Sequence, residues 1–230
     1  MIQTSGAGDC RVVTLDRPDR KNALTRDGLD ALEATVADAT EPVIYLTGAG
    51  DAFCAGADLD VVRDLSEDEA ADFARQGQRV ARALADYEGA VVAGVDGPAR
   101  GGGVELALAC DIRLGTPEAS FAETGVQLGL FGAWGGTARL PAIVGQGEAM
   151  DIALSGRTVD ADEALRMGLV SRVVDDPRAV AESIAANDAA TLRVIKARMR
   201  DGADRATQEQ REAAAFAERI AALGSANRNG

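Results

Sequence analysis

The stretch that decides the fold is Gly97-Pro-Ala-Arg-Gly-Gly-Gly-Val-Glu-Leu-Ala-Leu-Ala-Cys-Asp111. An apolar run over residues 91–95 precedes it and predicts a buried strand, whereas Val104 to Ala109 favour a helix. The glycine triplet at residues 101–103 therefore lies where a strand turns into a helix. The first N–H groups of a helix lack partners and carry partial positive charge, and glycines let a ligand approach them closely.

Glu105 lies in the first turn of this predicted helix, close to those N–H groups. A carboxyl group beside an anion-stabilising backbone suits a reaction in which a carbonyl becomes an oxyanion while a proton moves. The alternative is purely structural, because an acidic residue in the first turn also complements the helix dipole and glycines before a helix are common. This stretch by itself leaves both interpretations open.

Composition restricts the remaining chemistry. The chain of 230 residues carries a net charge of −13, contains no histidine and has 47% hydrophobic residues. The lack of histidine excludes Ser-His-Asp and Cys-His nucleophile systems and His-ligated metal sites, which leaves proton transfer mainly to carboxylates. The acidic charge disfavours nucleic acid and anionic membranes as partners. Many acidic residues with only two lysines predict a halophilic source with a high-salt cytoplasm.

The sequence gives no signal for export or membrane insertion. No apolar run approaches the roughly 20 residues that span a bilayer, and residues 1–4 lack the features of a signal peptide. Cys10, Cys54 and Cys110 are scattered, which indicates buried reduced thiols rather than a disulfide framework or a zinc site. We therefore expect a cytoplasmic protein that binds no metal.

Periodicity predicts an α/β core followed by a helical region. Strands or extended segments are predicted over residues 11–16, 43–47, 91–95, 111–114, 119–124 and 168–174. Thr25 is expected to cap a helix between the first two strands, an order that favours a parallel pair. Ser66 begins a capping-box pattern for a second long helix. We divide the chain into a core over residues 1–175 and a helical C-terminal region over residues 176–230.

Four segments occur in a specific order and spacing. They are Leu15-Asp-Arg-Pro with Asn22-Ala-Leu24, Ala52-Phe-Cys-Ala-Gly-Ala-Asp-Leu59, the Gly97–Asp111 stretch, and Gly129-Leu-Phe-Gly-Ala-Trp-Gly-Gly-Thr-Ala-Arg-Leu140. Together they resemble the crotonase superfamily, the enoyl-CoA hydratase/isomerase proteins. The resemblance implies a crotonase-like spiral of ββα turns whose C-terminal helices build a homotrimer, or a hexamer of two trimers. It also implies an acyl-CoA thioester as substrate, with no cofactor beyond the coenzyme A of that substrate.

The resemblance assigns roles to individual residues. The backbone N–H groups of Ala57 and Gly102 would polarise the thioester carbonyl as an oxyanion hole. The CoA contacts carried over by position are Arg17, Ala23, Leu24, Ala55, Asp58 and Leu59. The acyl pocket is expected to include Gly125, Phe131 and Trp134, although the two aromatic residues would look the same as plain core residues.

Several cations have an open role at this stage. Where many relatives carry a lysine, this chain has Asp60, so Arg20, Lys21 or Arg63 is a candidate for the CoA phosphates. Each of these three could equally be a plain surface charge. Arg100 either meets a carboxylate on the acyl group or forms a structural ion pair.

The chain departs from the family pattern at the second catalytic acid. Hydratases of this family hold a water between two glutamates, one of which corresponds to Glu105. The second corresponds by position to Gly125, which has no side chain. Glu123 lies two residues earlier, and in an extended segment residues two apart face the same side. Glu123 is therefore a candidate second acid, and the alternative is a solvated or salt-bridged surface acid.

The expected function is syn hydration of a 2-enoyl-CoA, with Glu105 and Glu123 as the catalytic residues. The second candidate is an enoyl-CoA isomerase, in which Glu105 alone removes a proton and returns it to another carbon. The third is a catalytically silent relative that binds acyl-CoA. Turnover of 2-enoyl-CoA separates the first candidate from the others, and turnover of 3-enoyl-CoA separates the second from the third.

Overall fold

The computed structural model describes residues 1–226. Its strands are β1 (Ile2–Ala7), β2 (Cys10–Leu15), β3 (Val43–Gly48), β4 (Ala90–Val95), β5 (Pro98–Arg100), β6 (Ile112–Gly115), β7 (Ser120–Ala122), β8 (Val159–Asp160) and β9 (Arg172–Val173). Its α-helices are α1 (Arg26–Ala37), α2 (Leu59–Arg63), α3 (Glu67–Asp86), α4 (Gly102–Ala109), α5 (Gly136–Val144), α6 (Gln146–Ser155), α7 (Ala161–Arg166), α8 (Pro177–Ala185), α9 (Ala189–Met199) and α10 (Arg205–Ala226). Short 3₁₀ helices cover Pro18–Arg20 and Thr124–Leu128.

Two sheets organise the core. The larger sheet has the order β1-β2-β3-β4-β6-β9, and the smaller has the order β5-β7-β8. All neighbours in the larger sheet are parallel except β1 with β2. From β4 to β7 the strands alternate between the sheets, since β4 and β6 lie in the larger one and β5 and β7 in the smaller one. This alternation is the ββα spiral that the resemblance implied.

Local sequence signals explain where the first helices begin. The Thr25 side chain accepts a hydrogen bond from Gly28 N–H at the start of α1. Ser66 and Glu69 form a complete capping box at the start of α3. Both starts agree with the predictions, because these side chains satisfy N–H groups that the helix leaves without a partner. One face of α3 is buried, through Phe73, Gly77, Val80, Ala81 and Leu84.

Several predicted boundaries are wrong. The strand β1 was not predicted, and the last strand covers only Arg172–Val173. The extended segment expected over residues 119–124 ends at Ala122, because a 3₁₀ helix begins at Thr124.

The C-terminal region is helical, and its first helices pack on the core. Ala181 and Ala185 of α8 are buried together with Val43, Tyr45 and Val92 of the larger sheet. The Lys196 ammonium of α9 lies 2.8 Å from Asp111 and donates to Gly89 O. Residues 227–230, which end the predicted C-terminal region, lie outside the described residues. The division at residue 175 stays a prediction.

Candidate active site

Glu105 lies in the first turn of α4, directly after the glycine triplet. Gly101 precedes the helix with φ of 47°, a conformation that glycine adopts without strain. The Glu105 side chain is buried, and its Oε1 accepts hydrogen bonds from Trp134 N–H at 2.8 Å and Gly136 N–H at 2.6 Å. Burial raises the pKa of Glu105, whereas these two hydrogen bonds oppose the rise. The backbone therefore stabilises the ionised form of this carboxyl group.

Glu123 carries the second carboxyl group of the candidate site. This residue is buried, with only 7% of its surface exposed. The alternative that Glu123 is a surface acid is therefore wrong. Its Oε1 has no hydrogen-bond partner among the described residues. Burial first, and the charge of Glu105 second, raise the pKa of Glu123 to about 8. At neutral pH this glutamate therefore holds its proton, and it ionises after Glu105.

Both carboxyl groups lie against one glycine. A Cβ atom on Gly132 would be 2.9 Å from Glu105 Cδ and 3.2 Å from Glu123 Oε2. A Cβ atom on Gly136 would also be 2.9 Å from Glu105 Oε1. Larger residues at these positions would push the carboxyl groups away, so the two glycines permit the close approach. Neither glycine was predicted as a site residue, although both belong to the glycine-rich segment over residues 129–140.

The route by which Glu123 reaches the site differs from the prediction. The prediction assumed that residues 123 and 125 face the same side of an extended segment. The strand instead ends at Ala122, and Glu123 (φ −93°, ψ 73°) is the residue before the 3₁₀ helix. Gly125 packs against the loop backbone, because its carbonyl accepts from Leu130 N–H at 2.9 Å. The expectation that Gly125 lines the acyl pocket stays a prediction.

The two predicted oxyanion donors lie beside each other. No described residue accepts a hydrogen bond from the N–H of Ala57 or of Gly102. Gly56 has φ of +85°, and a Cβ atom there would be 2.8 Å from Gly102 N. The chain segment that carries the Ala57 N–H therefore contacts the start of α4 directly. Two N–H groups on chain segments that contact each other can stabilise a negatively charged oxygen together.

Asn22 holds this segment in place, a role that the sequence analysis missed. Asn22 has φ of 58°, in the left-handed region that asparagine tolerates. Its Nδ2 donates to Ala52 O at 2.7 Å and also to Ala49 O and Phe53 O. Its Oδ1 accepts from Arg17 N–H at 2.9 Å. The only sequence signal was an asparagine in the loop after residues 17–21, a residue type that favours turns.

The residues assigned to CoA binding cluster beside Ala57. Leu24 N–H donates to Gly56 O at 2.8 Å, and Asp58 N–H donates to Leu24 O at 2.9 Å. The Arg17 guanidinium lies 2.6 Å from the Asp58 carboxylate and also donates to Ala23 O. Burial of Asp58 tends to raise its pKa, but the Arg17 hydrogen bond and its other partners hold that pKa below the usual value. Leu59 is exposed at the same edge, and Ala55 N–H donates to Lys21 O.

The cations considered for CoA phosphates have carboxylate partners. Arg20 pairs with Asp58 and Asp60, Lys21 pairs with Asp51, and Arg63 pairs with Asp60. The contact of Arg100 with a carboxylate on the acyl group stays a prediction. Arg100 forms no ion pair within residues 1–226, and its guanidinium donates to Ser120 O at 2.8 Å and to Ser120 Oγ at 3.0 Å. Its guanidinium thereby joins β5 to β7.

Trp134 lies in the core, which is one of the two positions left open for it, and its role in the acyl pocket stays a prediction. Its ring is buried and meets the Phe73 ring edge-on, with centroids 6.0 Å apart. The ring also packs on Gly77 of α3 and Gly102 of α4, where added Cβ atoms would overlap it. Trp134 thus contacts one predicted oxyanion donor through its ring and Glu105 through its backbone N–H.

A cavity of about 790 Å³ opens next to Glu123. It lies between the second 3₁₀ helix, the following loop, α5 and α6. Its walls include Glu123, Phe131, Gly136, Leu140, Met150 and Leu154. The prediction that Phe131 borders an apolar pocket agrees with this position.

The described residues contain neither a metal-binding cluster nor a membrane-spanning helix. Within residues 1–226 no group of three or more histidine, cysteine, aspartate or glutamate side chains is arranged to hold a metal ion. No helix in that part of the chain combines the length and the apolar character needed to cross a bilayer.

Comparisons with known proteins agree with this geometry. Residues 7–220 match the family model described as enoyl-CoA hydratase/isomerase. A relative named crotonyl-CoA hydratase, from Syntrophomonas wolfei, is 38% identical over 83% of this chain and 78% of its own length. A short-chain-enoyl-CoA hydratase from Clostridium acetobutylicum is 39% identical over 73% of this chain and 66% of its own length.

The solved structures give the same answer for the fold. A crystal structure of enoyl-CoA hydratase from Bacillus anthracis superposes with a TM-score of 0.89 at 30% identity, covering 99% of this chain and 96% of that one. With its matched sequence segments, its ββα spiral and the agreement over nearly its whole length, the chain belongs to the enoyl-CoA hydratase/isomerase family.

Proposed function

We propose that this enzyme adds water to the double bond of 2-enoyl-CoA thioesters. The observation that carries the proposal is the pair of buried carboxyl groups at Gly132. One of them is stabilised as a carboxylate by two N–H donors, and the other holds a proton at neutral pH. Carboxyl groups whose surroundings separate their pKa values in this way are suited to act as a base and an acid in one reaction.

Each group then has one part in the reaction. The N–H groups of Ala57 and Gly102 bind the thioester oxygen and stabilise the enolate. The Glu105 carboxylate takes a proton from a water molecule, whose oxygen forms a bond to C3. Glu123 donates its proton to C2. A proton then passes from Glu105 to Glu123, which restores both groups, so the net change is one water added.

The names of the relatives support hydration, since both relatives at 38–39% identity are named as enoyl-CoA hydratases. The isomerase alternative needs Glu105 only, and it draws support from Gly125, which leaves the family's second acid position without a side chain. The position of Glu123 against Glu105 favours hydration, because a second acid positions the water and supplies the proton.

The test is turnover of crotonyl-CoA and of a 3-enoyl-CoA by the wild type, Glu105→Gln and Glu123→Gln. We expect each variant to lower kcat for hydration by about 10²–10⁴-fold. Glu118→Gln, at an exposed acid of the same region, is the matched control and is expected to keep full activity. Hydration that depends on Glu105 but not on Glu123 would contradict the two-acid mechanism. Turnover of the 3-enoyl-CoA alone would identify an isomerase.

The proposal also covers the assembly, the location and the partners of the enzyme. We propose a homotrimer or a hexamer of two trimers, with the helical region over residues 176–230 at the interfaces. The enzyme would act in the cytoplasm of a halophilic organism, without a cofactor, a metal, or a nucleic acid or membrane partner. The apolar side chains exposed on α10 support the assembly. The net charge of −13 supports the high-salt setting.

A further inference from the structure

The cavity beside Glu123 continues directly from the two carboxyl groups. Glu123, Gly132 and Gly136 form part of its wall, and both glycines contact Glu105. In the proposed reaction the carbons that react lie at these carboxyl groups. The acyl chain beyond C3 must then leave the site, and this cavity is the open space next to Glu123.

The chemistry of the cavity wall selects its occupant. Leu140 of α5, Met150 and Leu154 of α6, and Leu130 and Phe131 of the loop supply apolar surface. The polar or charged side chains in the wall are Glu123, Thr137 and Gln146. None of them is a basic group that would bind a carboxylate. A saturated hydrocarbon chain fits such a wall better than a polar or charged acyl group.

The size of the cavity argues against a four-carbon substrate as the best one. Its volume of about 790 Å³ lies in the range of pockets that enclose whole small-molecule ligands, about 300–1,000 Å³. A crotonyl group would place a single methyl group beyond C3. Apolar side chains at the rim would then stay in water, since Phe131 is 75% and Leu154 is 71% exposed.

We propose that this cavity binds the alkyl tail of 2-enoyl-CoA substrates of about eight to ten carbons, and that small residues of α6 set the chain length. The inference rests on the proposed hydratase function. Ala149 and Ala153 lie in the cavity wall, where larger side chains would shorten the available space. The enzyme would therefore prefer medium chains, although the two relatives described above are named as a crotonyl-CoA hydratase and a short-chain-enoyl-CoA hydratase.

The test is a series of trans-2-enoyl-CoA substrates with four, six, eight and ten carbons. Because each buried methylene group adds transfer free energy, we expect kcat/KM to rise about threefold per methylene up to eight carbons. Ala153→Phe is expected to lower the ratio of kcat/KM for ten carbons to that for four carbons at least tenfold. Ala179→Phe, at an exposed alanine of α8 outside the cavity, is the control and should leave this ratio unchanged.

The outcomes separate the two proposals. If no chain length is hydrated, the proposed function fails. If crotonyl-CoA is hydrated and kcat/KM stays level or falls with chain length, the function stands and the tail site is refuted. A change of oligomeric state in Ala153→Phe with an unchanged ratio would also refute it, and would show that another copy of the chain covers this face. Thermal unfolding of both variants checks that they are folded.

Discussion

At the scale of single residues, Glu105 and Glu123 show how hydrogen bonds help two glutamate side chains to ionise at different pH values. Both approach Gly132, but only Glu105 accepts N–H groups of the loop that follows. Glu123 Oε1 has no partner among the described residues, and the neighbouring charge of Glu105 disfavours its ionisation. Burial of Glu123, the charge of Glu105 and the two N–H donors to Glu105 therefore make Glu105 ionise first. The same arrangement makes the folded state sensitive to pH.

Glu123→Gln should stabilise the fold at alkaline pH. The folded-state pKa of Glu123, about 8, lies above the value of 4.5 for an unperturbed glutamate. Below pH 4.5 both states hold the proton. Between pH 4.5 and 8 the unfolded chain releases it and the folded chain keeps it, so wild-type stability falls as pH rises through this window. The glutamine variant has no carboxyl group at this position, so it does not lose stability in this way.

We expect the unfolding free energy of Glu123→Gln, relative to wild type, to rise by at least about 2 kcal/mol between pH 5.5 and 8.5. Urea denaturation at both pH values measures it. Glu118→Gln, at an exposed carboxylate, is the control and should show no such change. A glutamine variant that loses stability at alkaline pH would mean that Glu123 is ionised and paired in the folded state.

At the scale of elements, the indole ring of Trp134 fills the space between α3 and α4. Gly77 of α3 and Gly102 of α4 both face the ring, and a Cβ atom at either position would overlap it. The ring also meets Phe73 of α3 at a centroid distance of 6.0 Å. Because Gly102 carries a predicted oxyanion donor, the packing of these helices fixes one component of the site.

Gly77→Ala should therefore destabilise the protein by about 1–3 kcal/mol, since the added methyl group overpacks the core. The matched control is Gly147→Ala in α6, where a Cβ atom would have no neighbour within 4 Å. That variant should gain up to about 1 kcal/mol from helix propensity. In a Trp134→Ala background the cost of Gly77→Ala should disappear. A cost that persists there would show that the ring is not the obstacle.

The elements also show how far the sequence could predict the site. Glu105 was predictable because its position depends on a local signal, the glycine triplet before a helix. Glu123 lies beside Glu105, but the reason given for this position was incorrect, because the strand ends at Ala122 and a 3₁₀ helix begins at Thr124. The burial of Trp134 depends on Gly77, a distant position that no local pattern connects to it.

At the scale of the whole molecule, charge opposes folding. The net charge of −13 produces repulsion across the surface. Many surface arginines are paired with carboxylates, for example Arg157 with Asp151 and Glu163. Such exposed pairs contribute little individually. Added salt weakens both the net repulsion and the attraction within these ion pairs. We expect the weaker repulsion to have the larger effect on stability.

Thermal stability should therefore rise with potassium chloride. We expect Tm to increase by about 5 °C or more between 0.1 M and 2 M salt, because the Debye length falls from about 10 Å to less than 3 Å. Sucrose at equal osmolality is the control for solute exclusion, which strengthens burial without screening. A Tm that falls in salt, or an equal rise in sucrose, would contradict screening as the cause.

Assembly is the second property of the whole molecule, and it depends on α10. Phe216, Ile220 and Leu223 are 68%, 51% and 58% exposed, and their spacing of four and three residues places them along one side of the helix. Met199 at the end of α9 is 83% exposed. An apolar stripe of this kind is expected to be buried between subunits.

A double variant tests this stripe. Phe216→Glu with Ile220→Glu should convert the proposed trimer to a monomer, because carboxylates in an apolar interface lose hydration without gaining partners. Ala214→Glu is the control, since a residue two positions from Phe216 projects from the opposite side of the helix. Light scattering after size-exclusion chromatography gives the mass. A wild type that is monomeric at micromolar concentration would refute the trimer, whereas a trimer that survives both glutamates would place its interface elsewhere on the chain.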